Sequence, residues 1–93
     1  MPKYFKFAID GYYLYFTSQC IVEAFHVHAS DKKLTEQGSA KFFVNEDGSV
    51  KVMRKGRLSS KSIGRISEFI TENYKEMYEM WIESGGIPEF YKK

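Results

Sequence analysis

The two histidines of the chain lie close together in the segment EAFHVHAS, residues 23–30. His26 and His28 are two residues apart, and side chains at that spacing project from the same face of an extended strand. Two adjacent imidazoles can transfer protons near neutral pH, as in phosphodiester cleavage, and they can also bind a metal ion or a phosphate. The segment therefore predicts an imidazole pair exposed on one face of a sheet.

Three interpretations of the pair remain open. A zinc site requires three or four protein ligands, and only Glu23 and Cys20 could complete one nearby. The chain contains no CxxC pair, so we expect no metal and no other cofactor. In metal-independent acid–base catalysis, His26 and His28 would transfer protons and Glu23 would orient one imidazole. The third interpretation is a pair of exposed polar residues without chemistry.

Cationic residues cluster around a predicted hairpin and the start of a predicted helix: Lys41, Lys51, Arg54, Lys55, Arg57 and Lys61. Cations beside exposed aromatic side chains bind single-stranded RNA through phosphate contacts and base stacking. We predict Lys41, Arg54 and Lys61 as nucleic-acid contacts, with Tyr4, Tyr13 or Tyr15 as candidate stacking residues. An ordinary solvated surface explains the same cations equally well, because Lys and Arg are common on every surface.

The composition restricts the class of protein. Net charge is +2 and the isoelectric point is about 8.6, which is too weakly basic to establish nucleic-acid binding. The 43% hydrophobic and 17% aromatic content argues against disorder. Cys20 is the single cysteine, so no internal disulfide is expected, and no apolar run reaches the length of a membrane span. We expect one cytoplasmic domain, residues 1–93, without a membrane segment.

The elements that position these side chains predict an α+β fold. Asp10-Gly11 separates two β-rich runs, residues 4–9 and 12–17, which is typical of a hairpin with a type I′ turn. The His-x-His segment reads as a further strand. Residues 40–44 and 50–53 flank NEDGS, which predicts a second hairpin whose turn is closed by a left-handed Gly48, with Val52 on the same face as Phe42. We therefore expect an antiparallel sheet of four or five strands, made of two hairpins plus the His-x-His strand.

A long C-terminal helix covers one face of this predicted sheet. Apolar residues recur at spacings of three and four from Ser59 onwards: Ile63, Ile66, Ile70, Tyr74, Met77 and Trp81. Ser59 or Ser60 is the expected N-cap, and Gly85 the expected stop. The tail is expected to return Phe90 or Tyr91 to the sheet.

These segments together resemble a family of small bacterial proteins carried as domain of unknown function 4160. The resemblance is carried by MPKYFKF with GYYLYF, by EAFHVHAS, by AKFFV, and by LSSKSIGRISEFITENYKEMYEMW. Its most specific part is the acidic Glu23 followed by His26 and His28. The resemblance implies no established activity. Such proteins are often encoded next to a second small protein, in the manner of toxin–antitoxin pairs, which implies a small protein partner and an action on RNA or translation.

Two functions follow as hypotheses. The first is a toxin-like module acting on RNA, which requires His26 and His28 to be exposed, away from the helix, in one concavity with at least two of the predicted cations. The second is a non-catalytic antitoxin, inhibitor or scaffold that offers an edge strand or helix face to a partner. The chain has more large apolar residues than one small core is expected to bury, which favours the second function. A homodimer that buries these residues is a related expectation. These residues are Tyr78, Met80, Phe90 and Tyr91.

Overall fold

The computed structural model describes residues 3–16, 23–30 and 38–91. In chain order these residues form β1 (Tyr13–Tyr15), β2 (His26–Ser30), β3 (Ala40–Val44), β4 (Val50–Arg54) and α1 (Ser60–Glu83). The four strands make one antiparallel sheet in the order β1-β2-β3-β4. The predicted α+β fold is confirmed, with β2 and β3 as inner strands and β1 and β4 at the edges.

The turn of the first hairpin forms as predicted. Asp10 and Gly11 have φ angles of 51° and 86°, the left-handed conformation that both central positions of a type I′ turn require. Ile9 and Tyr12 exchange two backbone hydrogen bonds across it, at 2.7 and 2.9 Å. The Asp-Gly pair therefore fixes a two-residue connection.

The strand expected before that turn is reduced to isolated contacts. The Tyr4 N–H donates to the Leu14 carbonyl at 2.9 Å, but residues 4–8 form no continuous ladder with β1. Phe5 lies edge-on against Phe69 of α1, with ring centroids 5.5 Å apart, and Phe7 stacks on Phe5. Burial of aromatic area against the helix thus competes with strand pairing in this segment.

The second hairpin closes through a left-handed glycine, as predicted. Gly48 has a φ of 89°, and its N–H donates to the Asn45 carbonyl at 2.9 Å while the Asn45 N–H donates to Ser49 at 2.8 Å. A Cβ at Gly48 would lie 2.5 Å from the ring of Tyr74. Glycine is therefore required here both for its backbone conformation and for close packing against α1.

Helix α1 begins and ends at the predicted signals. The Ser59 side chain accepts the Ser62 N–H at 3.1 Å, and Gly85 follows the last turn with a φ of 90°. The buried stripe packs on the core side of the sheet and consists of Ile66, Ile70, Met77 and Trp81. In the part of the chain that the structure describes, no helix is long and apolar enough to cross a membrane.

The C-terminal tail returns to the sheet, as expected. The Tyr91 N–H donates to the Val44 carbonyl at 2.9 Å, and the Tyr91 ring stacks on Phe43 at 4.5 Å. Phe90 stacks on Tyr78 of α1 at 4.1 Å. The tail therefore joins the sheet to the helix at the end of β3.

Candidate functional site

The alternation of β2 places the two imidazoles together, as predicted. Val27 is fully buried in the hydrophobic core, so the residues on either side of it project from the opposite face of the strand. The ring centroids of His26 and His28 are 5.1 Å apart and the rings are nearly perpendicular. The sequence spacing thus produces a genuine imidazole pair.

The sheet register aligns further polar residues with this pair. Across the four strands, Tyr15 lies opposite His28, His28 opposite Lys41, and Lys41 opposite Arg54. Glu23 reaches the same region, because one of its carboxylate oxygens lies 2.9 Å from the Lys41 ammonium. One transverse row therefore contains His28, Lys41 and Arg54, three of the six predicted site residues.

Lys61 lies elsewhere. It is the second residue of α1. Hydrogen bonds from Ser62 and Arg65 lower the pKa of Asp10 in the first hairpin turn, and the charge of Lys61 makes a smaller contribution in the same direction. No such influence of Lys61 on His26 or His28 is found, whereas Lys41 affects both imidazoles. The structure therefore groups Lys41 and Arg54 with the histidines and separates Lys61 from them.

The expected exposure of the pair is wrong. His26 is 0% exposed and His28 is 6% exposed. Tyr15 stacks on His28 with centroids 5.4 Å apart, while Phe43 and Trp81 each meet the His26 ring edge-on at 5.3 Å. We call these five residues the histidine cluster. Aromatic neighbours on both adjacent strands and on α1 bury side chains that spacing alone predicted to face solvent.

Two of the three candidate RNA-stacking tyrosines share this burial, whereas Tyr13 is half-buried and has the Lys3 ammonium 4.4 Å from its ring centre. Tyr4 is 3% exposed and Tyr15 is 0% exposed. The Tyr4 hydroxyl donates to the His26 carbonyl at 2.9 Å, which ties the N-terminal segment to β2. Neither ring can receive a nucleobase without a rearrangement of the core.

A backbone carbonyl fixes the tautomer and orientation of His26. Its Nδ1 lies 2.8 Å from the Ala24 carbonyl oxygen, and since a carbonyl only accepts, Nδ1 donates the proton. Nε2 of the neutral ring is then a buried lone pair that has no hydrogen-bond partner among the described residues. Nδ1 of His28 is also buried, and it too has no hydrogen-bond partner among the described residues. Glu23 was expected to orient an imidazole, but Ala24 performs this role and Glu23 pairs with Lys41.

Burial keeps both imidazoles neutral. It lowers the pKa of His28 to about 4, with smaller contributions from His26, Lys41 and Arg54. It also lowers the pKa of His26, against the opposing hydrogen bond to Ala24. A general acid or base works best when its pKa lies near the operating pH. At neutral pH His28 is a weak base with almost no protonated form.

The two cations beside the pair are already engaged within the chain. Hydrogen bonding to Lys41 lowers the pKa of Glu23, and the Lys41 ammonium also lies 5.0 Å from the centre of the Phe43 ring. Arg54 donates to the Ser39 carbonyl at 3.1 Å and to the Ser39 hydroxyl at 3.3 Å. Binding a phosphate here would have to replace these contacts.

No metal centre is apparent in residues 3–16, 23–30 and 38–91. Within these ranges, no three His, Cys, Asp or Glu side chains lie close enough to hold a metal ion. Cys20, the fourth ligand considered from the sequence, lies outside the described residues. The unpaired lone pair on His26 therefore has no ligand set around it here.

Side chains of edge strand β4 are exposed to solvent, which the sequence had predicted for the histidines of β2. The sequence predicted that Val52 faces the core, but Val52 is 39% exposed and Met53 is 47% exposed. The register shifts between Lys41, opposite Arg54, and Phe42, opposite Val52, so Met53 is the extra residue of a β-bulge. The signal in the sequence was the adjacent apolar pair VM, which breaks the alternation of VKVMR.

The comparison with known protein families agrees with these elements. The family model described as Domain of unknown function (DUF4160) matches residues 11–82, from the first turn through all four strands to the end of α1. The match spans well over half of the 93 residues. The chain belongs to this family. No match was found among curated proteins or among solved structures. Membership in DUF4160 brings no assigned activity, so the function must be argued from the surface.

Proposed function

We propose that this DUF4160 protein is a non-catalytic protein-binding module whose β4 edge pairs with an extended segment of a partner. The observation that carries the proposal is the exposure of β4. Four of its five residues are exposed, and Val52 and Met53 present apolar side chains to solvent. An edge strand can bind a partner strand through main-chain hydrogen bonds, while its exposed side chains select the sequence.

The charge on this edge selects the chemistry of the partner. Lys51 and Arg54 lie on β4 itself, and Lys55 and Arg57 follow in the exposed turn. Cations and bulges on an edge strand oppose pairing with an identical strand, since two β4 strands would bring like charges together. An acidic segment with apolar residues at alternate positions satisfies both the charges and Val52. We therefore propose an acidic partner strand in preference to a second copy.

The burial of the histidine cluster weakens the support for the RNA-cleaving hypothesis. Catalysis by His26 and His28 required exposed rings, and both rings are buried and neutral. Catalysis by His26 and His28 stays a prediction. It is tested by comparing the effect on bacterial growth of the original chain and of a double variant. If expression arrests bacterial growth and an equally stable variant with His26→Asn and His28→Phe does not, the catalytic hypothesis is supported. Arrest by both proteins, or by neither, supports the binding module.

The family resemblance and the single cysteine support an extension of the proposal to a bacterial cytoplasm and a small partner protein. The neighbouring-gene arrangement of related proteins supplies the natural candidate partner. An acidic extended segment of such a partner is what we expect to contact β4.

A peptide titration tests the proposal directly. The probe is a short amidated peptide in which glutamate alternates with valine, and its binding to the full chain is followed through backbone amide shifts of residues 50–54. We expect Lys51→Glu to weaken binding about tenfold by charge repulsion, and Val52→Ser to weaken it by a similar factor through lost apolar contact. Lys75→Glu is the matched control, because it makes the same charge change at an exposed position of α1.

Each other outcome of that titration counts against β4 as a protein-binding edge. Equal effects of Lys51→Glu and Lys75→Glu would indicate only general electrostatic attraction. An RNA oligonucleotide whose binding is lost in Lys51→Glu but retained in Val52→Ser would assign this surface to phosphate contacts instead. No shift of residues 50–54 at millimolar peptide would exclude strand pairing at this edge.

A further inference from the structure

An open groove of about 270 Å³ lies between the first hairpin and α1. Ile9 comes from the hairpin, and the other lining residues, Arg65, Glu68, Phe69 and Glu72, come from the first half of the helix. We call it the Phe69 groove. None of its lining residues belongs to β4.

Exposed aromatic rings extend the apolar floor of the Phe69 groove. Phe7 is 55% exposed, stacks on Phe5 at 5.1 Å, and meets Phe69 edge-on at 6.2 Å. Phe5 and Phe69 are partly buried against the core, as is Ile9. A single exposed phenylalanine is unremarkable on a protein surface, but a contiguous group of such rings marks a contact site.

The groove is also acidic, because its single cation is engaged elsewhere. Arg65 donates to the Asp10 carboxylate at 2.9 Å, and the other oxygen of that carboxylate accepts from Ser62 at 2.7 Å. Glu68 and Glu72 lie one helical turn apart and are exposed. Within the described ranges neither glutamate forms an ion pair. The groove therefore presents two carboxylates beside aromatic rings, and the one cation in its lining, Arg65, is paired with Asp10 and not with either glutamate.

We propose that the Phe69 groove binds an arginine side chain from a segment of a partner protein. Aromatic faces and carboxylates both attract a cation, and a guanidinium stacks on rings while it donates to carboxylates in a bidentate manner. Its aliphatic stem can cover Ile9. A lysine ammonium lacks the planar face and is more strongly hydrated, so the groove discriminates in favour of arginine. This site is separate from β4, has the opposite charge, and does not depend on the strand-pairing proposal.

The test uses the full chain and a short amidated peptide in which arginine alternates with leucine. Amide shifts should concentrate at residues 7–9 and 65–72 and should saturate. The double variant Glu68→Gln, Glu72→Gln is expected to weaken binding about tenfold, since both charge-assisted hydrogen bonds are lost. Phe7→Ser is expected to weaken it several-fold, and its exposure makes the change compatible with folding. A peptide with lysine in place of arginine should bind several-fold more weakly.

A second pair of glutamates provides the matched control. Glu79→Gln with Glu83→Gln makes the same charge change at the same spacing on α1, at exposed positions outside the groove. Equal weakening by the two double variants would overturn the proposal, as would equal affinity for the lysine peptide or no saturable shift. Lys51→Glu at β4 should not weaken binding of the arginine peptide. A failure of the β4 proposal and a failure of this one are therefore distinguishable.

Discussion

Strands β2 and β4 have the same length and opposite environments. All five residues of β2 are buried, whereas β4 has one half-buried residue and four exposed ones. Both strands carry polar side chains on one face, so residue type alone did not separate them. Their places in the sheet differ, because β2 lies between β1 and β3 while β4 pairs only with β3 among the described residues. An edge position is not sufficient for exposure, because the other edge strand, β1, has two of its three residues buried. The comparison teaches that residues of a strand remain available for function where the strand lies at an edge and no other segment covers it.

The largest effect that we expect from this difference is a loss of unfolding free energy in acid, caused by the buried histidines. The pKa of His28 is about 4 in the folded chain against 6.5 for an ordinary histidine, so the unfolded chain binds more protons between these pH values. Stability contributed by the neutral ring is complete above pH 6.5 and is lost as the pH falls to 4. We expect a loss on the order of 3 kcal/mol from His28, measured by urea denaturation across this range.

The variant His28→Phe is the control for that loss. The phenyl ring keeps the stack on Tyr15 and removes the buried Nδ1, which has no hydrogen-bond partner among the described residues. We expect unfolding free energy at pH 7 to be unchanged or higher, and the part of the decline between pH 6.5 and 4 that His28 contributes to disappear, which leaves the part from His26, whose pKa burial also lowers. An equal decline in the variant would contradict the assignment to His28. Asp10 and Glu23 have pKa values lowered from 3.8 and 4.5, so their contributions are lost at the acidic end of this range and below it, and they are the same in both proteins.

The same chemical change in each strand gives a second test. Val27 of β2 is fully buried and Val52 of β4 is 39% exposed. We expect Val27→Ala to lower the free energy of unfolding by about 2 kcal/mol, through lost transfer energy and a cavity. Val52→Ala should cost less than about 0.5 kcal/mol. Denaturant midpoints measured at pH 7 check both, and similar losses at the two sites would show that β4 is covered.

Local signals in the sequence predicted the turns and the helix well. Asp10-Gly11, Gly48, Ser59 and Gly85 each act through backbone conformation or a cap within a few residues of themselves, and each has its predicted role in the structure. The shared face of His26 and His28 followed from the period of a strand alone. These predictions succeeded because no distant part of the chain competes with them.

Burial and strand order could not be obtained in the same way. The histidines are buried by Tyr15, Phe43 and Trp81, which are distant in sequence, and no local pattern shows that these rings converge. The exposure of Val52 depends on β4 lying at an edge. The sequence therefore predicted that His26, His28 and Lys41 would lie near one another, but it predicted neither their burial nor the separation of Lys61 from them.

Arg54 is the residue of β4 that we expect to contribute to stability. Its guanidinium donates twice to Ser39, whereas Lys51, on the same strand, has no hydrogen bond or ion pair among the described contacts. We expect Arg54→Gln to lower the unfolding free energy by about 1 kcal/mol, and Lys51→Gln to leave it unchanged. Thermal unfolding of the pair measures this difference. Equal unfolding free energies for the two variants would show that Arg54, like Lys51, does not contribute to stability. The contrast with the buried strand β2 would then be sharper.

The smallest effect concerns the ion pair beside the histidine cluster. Glu23 and Lys41 lie 2.9 Å apart with side chains that are 44% and 20% exposed, so solvent screens their attraction. A double-mutant cycle with Glu23→Gln and Lys41→Met should give a coupling of about 0.5 kcal/mol that declines as salt is added. A coupling well above about 1 kcal/mol, insensitive to salt, would mean that the pair is sequestered with the imidazoles. The cluster would then be a buried charge network, and the neutral packing role assigned to β2 would have to be withdrawn.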